Sequence, residues 1–133
     1  MRTTAVKDYM SKIHLVVNPD MDISQAIGKL VEIKANAAPV VDDQGNILGL
    51  LTERDCLSAA LKSGYFAESV GKVGDFMSHD VQLVEADESI LQVAGKAEAE
   101  RLKQYLVLEE NRLIGSLGHH EILKALLVLR GAV

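Results

Sequence analysis

The residues best suited to hold a ligand are Thr52 and Asp55, at the start of a predicted helix. They directly follow the apolar run Ile47–Leu51, and threonine is favoured as a helix N-cap. The hydroxyl of Thr52 and the carboxylate of Asp55 are therefore held at the positive end of a helix, where free backbone N–H groups favour anions. Such a place suits a sugar hydroxyl together with a phosphate.

The same two residues also have a purely structural explanation. A threonine N-cap followed three residues later by an acidic residue is a capping box, here with Asp55 in place of the usual glutamate. Capping and ligand binding are compatible, because a capped helix can still bind a ligand. The sequence therefore leaves both roles open for Asp55.

A predicted β-hairpin precedes this helix. Ala37–Val41 and Ile47–Leu51 are short apolar runs, and Asp42–Asn46 between them has the composition of a turn. The first run is bounded by polar residues, as is typical of a buried strand. The hairpin places Pro39 on a strand beside the start of the helix.

The chain is a tandem duplication of a unit of about 60 residues. The segment Val6–Ser11 returns as Val73–Ser78 at a shift of 67, and the agreement continues into the helix that follows. We predict one deletion before the hairpin strands, after which the shift becomes 66 and Val41 matches Val107. So many identities in order rarely arise by chance.

Each copy has the predicted order β-α-β-β-α, which gives a mixed α/β (α+β) fold. The two copies are predicted to span residues 1–66 and 67–133 and to pack as a pseudo-twofold pair, since the connector from Ser63 to Lys72 is short. One copy alone could bury little core. The other predicted elements are strands at Leu15–Val17, Gln82–Val84 and Gln104–Leu108, and helices at Ile23–Ile33, Glu53–Leu61 and His119–Val128.

Composition excludes several classes of protein. The 133 residues are 48% hydrophobic, which is enough for a compact domain with its own core. The formal charge of −5 and the lack of a lysine or arginine run disfavour nucleic-acid binding. Cys56 is the single cysteine, so no intrachain disulfide forms. With no signal peptide and no apolar run of transmembrane length, we expect a cytoplasmic protein with no membrane partner.

Taken together, these motifs resemble a tandem pair of cystathionine-β-synthase (CBS) domains, a Bateman module, over nearly the whole chain. The residues that carry the resemblance are Val6-x-Asp8-Tyr9-Met10-Ser11, Ile23–Ile33, Asn36–Asp42 and Ile47–Asp55. The resemblance implies a free-standing regulatory module that binds an adenine nucleotide or a related adenosyl compound, of the AMP, ATP or S-adenosylmethionine type. It implies no catalysis and no required cofactor. The bound state would be passed to a regulated protein that the sequence does not identify.

The resemblance also implies roles for individual residues. Thr52 and Asp55 match the family's Thr/Ser-x-x-Asp motif, in which the aspartate accepts hydrogen bonds from ribose hydroxyls and the hydroxyl residue contacts ribose or phosphate. Arg54 is then a candidate phosphate partner. The remaining matches are Ala37, Ala38 and Pro39, which line the base pocket, and Ile13 and His14, whose backbone contacts the adenine edge.

The second copy departs from this pattern. Gly118 stands in place of Thr52, Glu121 in place of Asp55 and Tyr105 in place of Pro39, and His119 and His120 could face a phosphate there. We therefore expect a second site that is weaker, altered or empty. A metal site at these histidines is disfavoured, because adjacent helical residues point about 100° apart.

Two further expectations concern association and the competing functions. The apolar faces at Leu57–Leu61 and at the terminal helix suit either the core or a homodimer interface, and CBS-like pairs associate through these helices. A structural or protein-interaction module without a small ligand is the competing hypothesis. The degenerate second copy favours it and the intact Thr52-x-x-Asp55 opposes it. An enzyme has little support, since no paired catalytic constellation occurs and Cys56 is predicted to be a buried, inert thiol.

Overall fold

The computed structural model describes residues 4–63, 71–101 and 104–131. These residues form two compact units, one comprising His14–Val81 and the other combining the described residues up to Ile13 with those of Gln82–Val133. Each unit thus holds the hairpin and long helices of one repeat together with the opening segment of the other. The predicted boundary between residues 66 and 67 and most of the predicted connector lie outside the described residues.

The chain has the mixed α and β character predicted for it. A 3-10 turn at Val6–Asp8 comes before the first strand. In chain order the elements are β1 (Ser11–Lys12), α1 (Ile23–Ile33), β2 (Ala37–Val41), β3 (Ile47–Thr52), α2 (Glu53–Ser63), α3 (Val73–Phe76), β4 (Gln82–Glu85), α4 (Ile90–Glu100), β5 (Gln104–Glu109), β6 (Arg112–Gly118) and α5 (His119–Arg130).

In the unit His14–Val81, β2 and β3 form an antiparallel hairpin with a bulge between Val40 and Val41. The long helices begin with side-chain caps where the sequence offers them: Asp22 accepts a hydrogen bond of 2.8 Å from the backbone of Ser24 at the start of α1. The apolar stripe of α1 packs into the core of this unit. The buried core residues are Val17, Ile23, Ala26, Leu30, Ala38, Val40, Leu51, Cys56, Ala59 and Val73.

The other unit contains a four-stranded sheet in the order β1-β6-β5-β4. β5 and β6 are antiparallel, β4 runs parallel to β5, and β1 pairs with β6 through Ser11 and Ser116. Its core is built mainly from aliphatic residues of α4, α5 and the central strands. The buried members are Val6, Val84, Ala86, Ile90, Val93, Ala97, Tyr105, Val107, Leu117, Ile122 and Ala125.

The predicted strand Leu15–Val17 is wrong as a regular strand. This run forms one parallel bridge, in which the Val17 N–H donates to Pro39 O and the Val41 N–H donates to Val17 O, both at 2.9 Å. The preceding pair in a parallel ladder would need an N–H from Pro39, and the following pair would need one from Pro19, and proline has none. The equivalent strand β4 pairs over four residues, because Leu106 and not proline lies opposite it.

The strand register corrects the predicted match between the two copies by one residue. Tyr105 lies opposite Leu117 just as Ala38 lies opposite Leu51, so the structural counterpart of Tyr105 is Ala38. The counterpart of Pro39 is Leu106. The predicted substitution of Tyr105 for Pro39 is therefore wrong.

The reason for this correction is the position of the deletion. It lies in the hairpin turn and not before the hairpin. The second turn is tighter, with Glu110 and Asn111 at φ 52° and 65°, the left-handed region that short hairpin turns use. The first strands of the two hairpins therefore keep the shift of 67, and only the strands after the turn have the shift of 66.

No helix in the described parts of the chain combines the length and the apolar character that crossing a membrane would need.

Candidate functional site

The start of α2 is closed by two reciprocal hydrogen bonds. The Thr52 N–H donates to Asp55 Oδ2 at 2.9 Å, and the Asp55 N–H donates to Thr52 Oγ1 at 3.1 Å. This is a complete capping box, so the structural role predicted for the pair is confirmed. Both side chains are half-buried.

A third residue, Ser78, joins this pair and was missed by the sequence analysis. Its Oγ lies 3.1 Å from Asp55 Oδ1 and 3.0 Å from Asp55 Oδ2. Ser78 belongs to the duplicated segment Val73–Ser78, so the repeat singled it out as a position. Its partner, 23 residues away along the chain, could not be found from spacing.

The backbone of Ser78 is fixed against strand β3. Leu50 and Ser78 exchange two hydrogen bonds of 2.9 Å each. Gly49 allows this approach, because a Cβ at that position would collide with Ser78 O and lie 3.3 Å from Ser78 C. The serine hydroxyl is thus presented to Asp55 by a segment that is anchored on its own.

The predicted base-pocket residues divide between the two faces of the hairpin. Ala38 and Leu51 lie in the core of their unit and are fully buried. Because side chains alternate along a strand, Ala37 and Pro39 lie on the opposite face, and Ala37 is directly paired with Thr52. Ala37, Pro39 and Thr52 therefore share a face, whereas the side chain of Ala38 is turned into the core.

Within the described part of the chain, the other predicted ligand contacts have no hydrogen bond or strand pairing that joins them to Thr52 or Asp55. Arg54 is exposed in the first turn of α2. Ile13 is half-buried and His14 is exposed, and both follow β1, whose partner is β6. The segment that pairs with β3 at the corresponding place contains Ser78. A contact of Ile13 and His14 with an adenine edge stays a prediction.

In the second copy, half of the capping box is kept. The Gly118 N–H donates to Glu121 Oε1 at 2.6 Å, but Gly118 has no hydroxyl to return the bond. His119 and His120 are exposed at the start of α5.

Tyr105 is paired with Leu117 next to that helix start, but its side chain lies in the core of its unit, with 1% of its surface exposed. Its hydroxyl has no hydrogen-bond partner among the described residues. Burial raises the pKa of the Tyr105 phenol, and the negative charges of Glu100 and Glu88 raise it further. Leu106 takes the position that Pro39 has on the other hairpin.

Neither a metal site nor a reactive thiol emerges from the geometry. Within residues 4–63, 71–101 and 104–131, no cluster of three or more His, Cys, Asp or Glu side chains could hold a metal ion. Cys56 is buried, as predicted. Burial, followed by the charges of Asp55 and Glu53, raises the pKa of the Cys56 thiol to about 11. A thiol with this pKa is a poor nucleophile at neutral pH.

The unit His14–Val81 also carries an apolar groove of about 580 Å³ between α1 and α2. Val31 and Leu57 at its edges are 72% and 61% exposed. The lining residues are Ile27, Leu30, Val31, Lys34, Ala35, Glu53, Cys56, Leu57 and Ala60.

Two α+β repeats, each with a hairpin followed by a capped helix, define a tandem-repeat module. The family model of the CBS domain matches residues 6–62 and again residues 73–128. The chain therefore belongs to the CBS domain family, and it contains two tandem copies of the domain.

Known proteins agree with this assignment. The inosine-5′-monophosphate dehydrogenase of Methanocaldococcus jannaschii is 31% identical over 113 residues, which are 83% of this chain and 21% of that enzyme. CBSX2, solved in complex with AMP, is 24% identical with a TM-score of 0.77, over 95% of this chain and 98% of that one. The CBS domain pair of MJ0100, solved with 5′-methylthioadenosine and S-adenosyl-L-methionine, is 22% identical with a TM-score of 0.78, over 99% and 100%.

At these identities the two solved structures show a shared fold. The chain spans only 34%, 42% and 21% of the length of the first three curated relatives that it matches, all from Methanocaldococcus jannaschii.

Proposed function

We propose that this chain is a regulatory module that binds an adenine nucleotide or a related adenosyl compound at the start of α2 and catalyses no reaction. The observation that carries the proposal is the grouping of Thr52, Asp55, Ala37 and Pro39, which sets a hydroxyl and a carboxylate beside small side chains on one hairpin face. Membership of the CBS family supports it. The similar folds of CBSX2, solved with AMP, and MJ0100, solved with adenosyl ligands, support it further.

The polar groups have suitable capacity for such a ligand. The Thr52 hydroxyl accepts the N–H of Asp55, which leaves its own proton free to donate to a ligand oxygen. The carboxylate of Asp55 accepts bonds from ribose hydroxyls, and charge-assisted bonds of this type are strong. The exposed guanidinium of Arg54 supplies the charge for a phosphate.

The rest of the pocket is proposed from the family pattern. The half-buried Ala37 and the buried Pro39 are proposed to border the base, and the backbone of Ile13 and His14 to contact its polar edge. The second copy lacks the hydroxyl at Gly118 and carries Leu106 where the first has Pro39. One occupied site in each chain is therefore the proposed stoichiometry.

The ligand binds one of two conformations of the module more tightly, so binding shifts the population toward that conformation. A cytoplasmic partner protein then detects the shift. The exposed apolar side chains on helices of each unit support a homodimer, because association would remove them from water. The most exposed of them are Val31, Leu57 and Leu61 in one unit and Leu123 in the other, at 72%, 61%, 60% and 60%.

The test is a thermal-shift panel of AMP, ADP, ATP, S-adenosylmethionine and NAD on the wild type and on Asp55→Ala. A ligand at 100 times its dissociation constant adds about 2.7 kcal/mol of stability, a shift of several degrees for a chain of this size. Asp55→Ala is expected to weaken binding about 10- to 150-fold, since a hydrogen bond to a charged group contributes about 1.5–3 kcal/mol.

Glu121→Ala is the matched control, because it also removes the acidic capping residue of a helix but lies outside the proposed site. It should lose stability and keep the ligand shift. If no ligand on the panel stabilises the wild type, the proposed function is refuted.

A structural or protein-interaction module without a small ligand is the second candidate. The observation that favours it is that Thr52, Asp55 and Ser78 already satisfy one another. On this alternative, Asp55→Ala and Glu121→Ala each cost about 0.5–2 kcal/mol of stability through lost capping, and neither has a ligand affinity to lose.

A further inference from the structure

The carboxylate of Asp55 already has two donors from its own chain, the Thr52 N–H and the Ser78 hydroxyl. Oδ2 accepts the Thr52 N–H at 2.9 Å and lies 3.0 Å from Ser78 Oγ. Oδ1 lies 3.1 Å from the same hydroxyl. Each carboxylate oxygen offers about two acceptor positions, and the Ser78 hydroxyl has one proton to donate. Two of the four positions are therefore in use, and the Ser78 Oγ stands at nearly equal distances in front of both oxygens.

This occupancy limits how a ribose can bind. A ribose with two free neighbouring hydroxyls donates one hydrogen bond to each carboxylate oxygen when it binds in a bidentate way. While the Ser78 Oγ lies 3.0 Å from Oδ2 and 3.1 Å from Oδ1, it fills the space in front of both oxygens, and a ribose cannot place one hydroxyl against each of them there. The Thr52 N–H cannot give way, because it forms part of the cap of α2.

We propose that the Ser78 hydroxyl is an internal competitor for Asp55, which a ligand with two free ribose hydroxyls must displace in order to bind. This inference rests on the proposed function. It makes Ser78 a residue that sets affinity and hydroxyl selectivity, in addition to the residues that contact the ligand.

The displacement is a side-chain rotation and not a movement of the backbone. Ser78 is held by its two 2.9 Å hydrogen bonds with Leu50 and by the close approach that Gly49 permits. Its hydroxyl can leave Asp55 by turning about χ1 to another staggered rotamer. The ligand therefore has to replace the hydrogen bond that Ser78 gives up.

A ligand with one ribose hydroxyl avoids this competition. A 2′-deoxyribose donates a single hydrogen bond, which Oδ1 can accept in a free position while Ser78 stays in place. Removing the Ser78 hydroxyl should therefore favour a ribonucleotide over the corresponding deoxyribonucleotide. A merely structural role of Ser78 would affect the two ligands equally.

The duplication supplies a matched control. Ser11 occupies the same place in the other repeat, paired with Ser116 as Ser78 is paired with Leu50. Its side chain is exposed. Ser11→Ala removes the same hydroxyl without touching Asp55.

The experiment is titration calorimetry of AMP and 2′-deoxy-AMP with the wild type, Ser78→Ala, Ser78→Thr and Ser11→Ala. Ser78→Ala is expected to bind AMP about 3- to 10-fold more tightly, the equivalent of one net hydrogen bond, with no change for 2′-deoxy-AMP. Ser78→Thr keeps the hydroxyl and should reproduce the wild-type ratio of the two affinities, as should Ser11→Ala.

Two kinds of failure are distinguishable. If the wild type binds AMP and Ser78→Ala binds it equally or more weakly, the role of Ser78 is overturned. The same holds if the affinities for both nucleotides change equally. Either result leaves the proposed function standing. If the wild type binds neither nucleotide, the adenosine site and the competition both fall. A Ser78→Ala chain that does not fold leaves the Ser78→Thr ratio as the deciding value, and a ratio that departs from that of the wild type refutes the inference.

Discussion

Replacing Gly49 with alanine should destabilise the unit His14–Val81 by about 2–3 kcal/mol, because the new methyl group would occupy the space of the Ser78 carbonyl oxygen. That oxygen belongs to backbone, so no flexible side chain can give way. The segment must move off β3, which breaks the two hydrogen bonds of 2.9 Å between Leu50 and Ser78. Each is worth about 0.5–1.5 kcal/mol net.

A further contribution comes from the Ser78 hydroxyl, which leaves the carboxylate of Asp55 when the segment moves. A hydrogen bond to a charged group is worth about 1.5–3 kcal/mol, but Ser78 and Asp55 are only half-buried, so water can replace part of the lost hydrogen bonding. Alanine also reduces the entropy of the unfolded chain, which offsets about 0.4–1 kcal/mol. The net loss remains about 2–3 kcal/mol.

Gly28→Ala is the control for the general effect of removing a glycine. Gly28 lies inside α1, and a Cβ there would meet no atom within 4 Å. Alanine in a helix interior is favoured over glycine by about 1 kcal/mol, so this variant should be more stable than the wild type. The two glycine-to-alanine changes therefore have opposite expected signs.

Urea unfolding followed by circular dichroism measures both variants against the wild type, with the transition midpoint as the readout. Gly115→Ala repeats the test in the other unit, since a Cβ at Gly115 would lie 2.7 Å from Ser11 O. A Gly49→Ala midpoint equal to that of the wild type or of Gly28→Ala would refute the reasoning. It would mean that the contact between β3 and Ser78 does not fix the segment.

Two further predictions concern buried side chains. With a pKa of about 11 in place of the ordinary 9.0, Cys56 holds about 100-fold less thiolate at pH 8. Iodoacetamide should therefore alkylate it at least about 100-fold more slowly in the folded chain than in urea, and equal rates would contradict this. Tyr105→Phe removes a buried hydroxyl that has no partner among the described residues, so the free energy of unfolding should rise by up to about 1 kcal/mol, and a lower urea midpoint would count against the structure's account of this core.

Local chemistry predicted most elements of the fold. The apolar stripe that starts at Ile23 and the run of Ala37–Val41 coincide in their bounds with α1 and β2. The helices predicted at Glu53–Leu61 and His119–Val128 each extend two residues further than expected. Caps and hydrophobic periodicity act within a few residues, which is why one sequence suffices to locate them.

Features that depend on distant partners were not predicted. The register of Tyr105 was placed one residue off, because the deletion lies in the turn and the strand residues on both sides are similarly apolar. Val17 forms a single bridge because Pro39 and Pro19 lack the N–H groups that the neighbouring pairs would need. The pairing of Val17 with Val40 joins residues that are distant along the chain, so the sequence did not reveal this effect. Ser78 was visible as a repeated residue, but its hydrogen bond to Asp55 joins positions 23 residues apart.

The comparison of the two repeats separates the capping role of Asp55 from its proposed role in ligand binding. Glu121 keeps the cap of α5 with a single carboxylate oxygen, although the preceding position is a glycine without a hydroxyl. Capping therefore requires neither an aspartate nor a threonine. At the start of α2 the cap likewise uses one oxygen, Oδ2, so Oδ1 of Asp55 and the proton of the Thr52 hydroxyl have no part in it. These two groups can serve a ribose hydroxyl and a phosphate oxygen, so capping alone does not account for the aspartate and the threonine that the first repeat has and the second lacks.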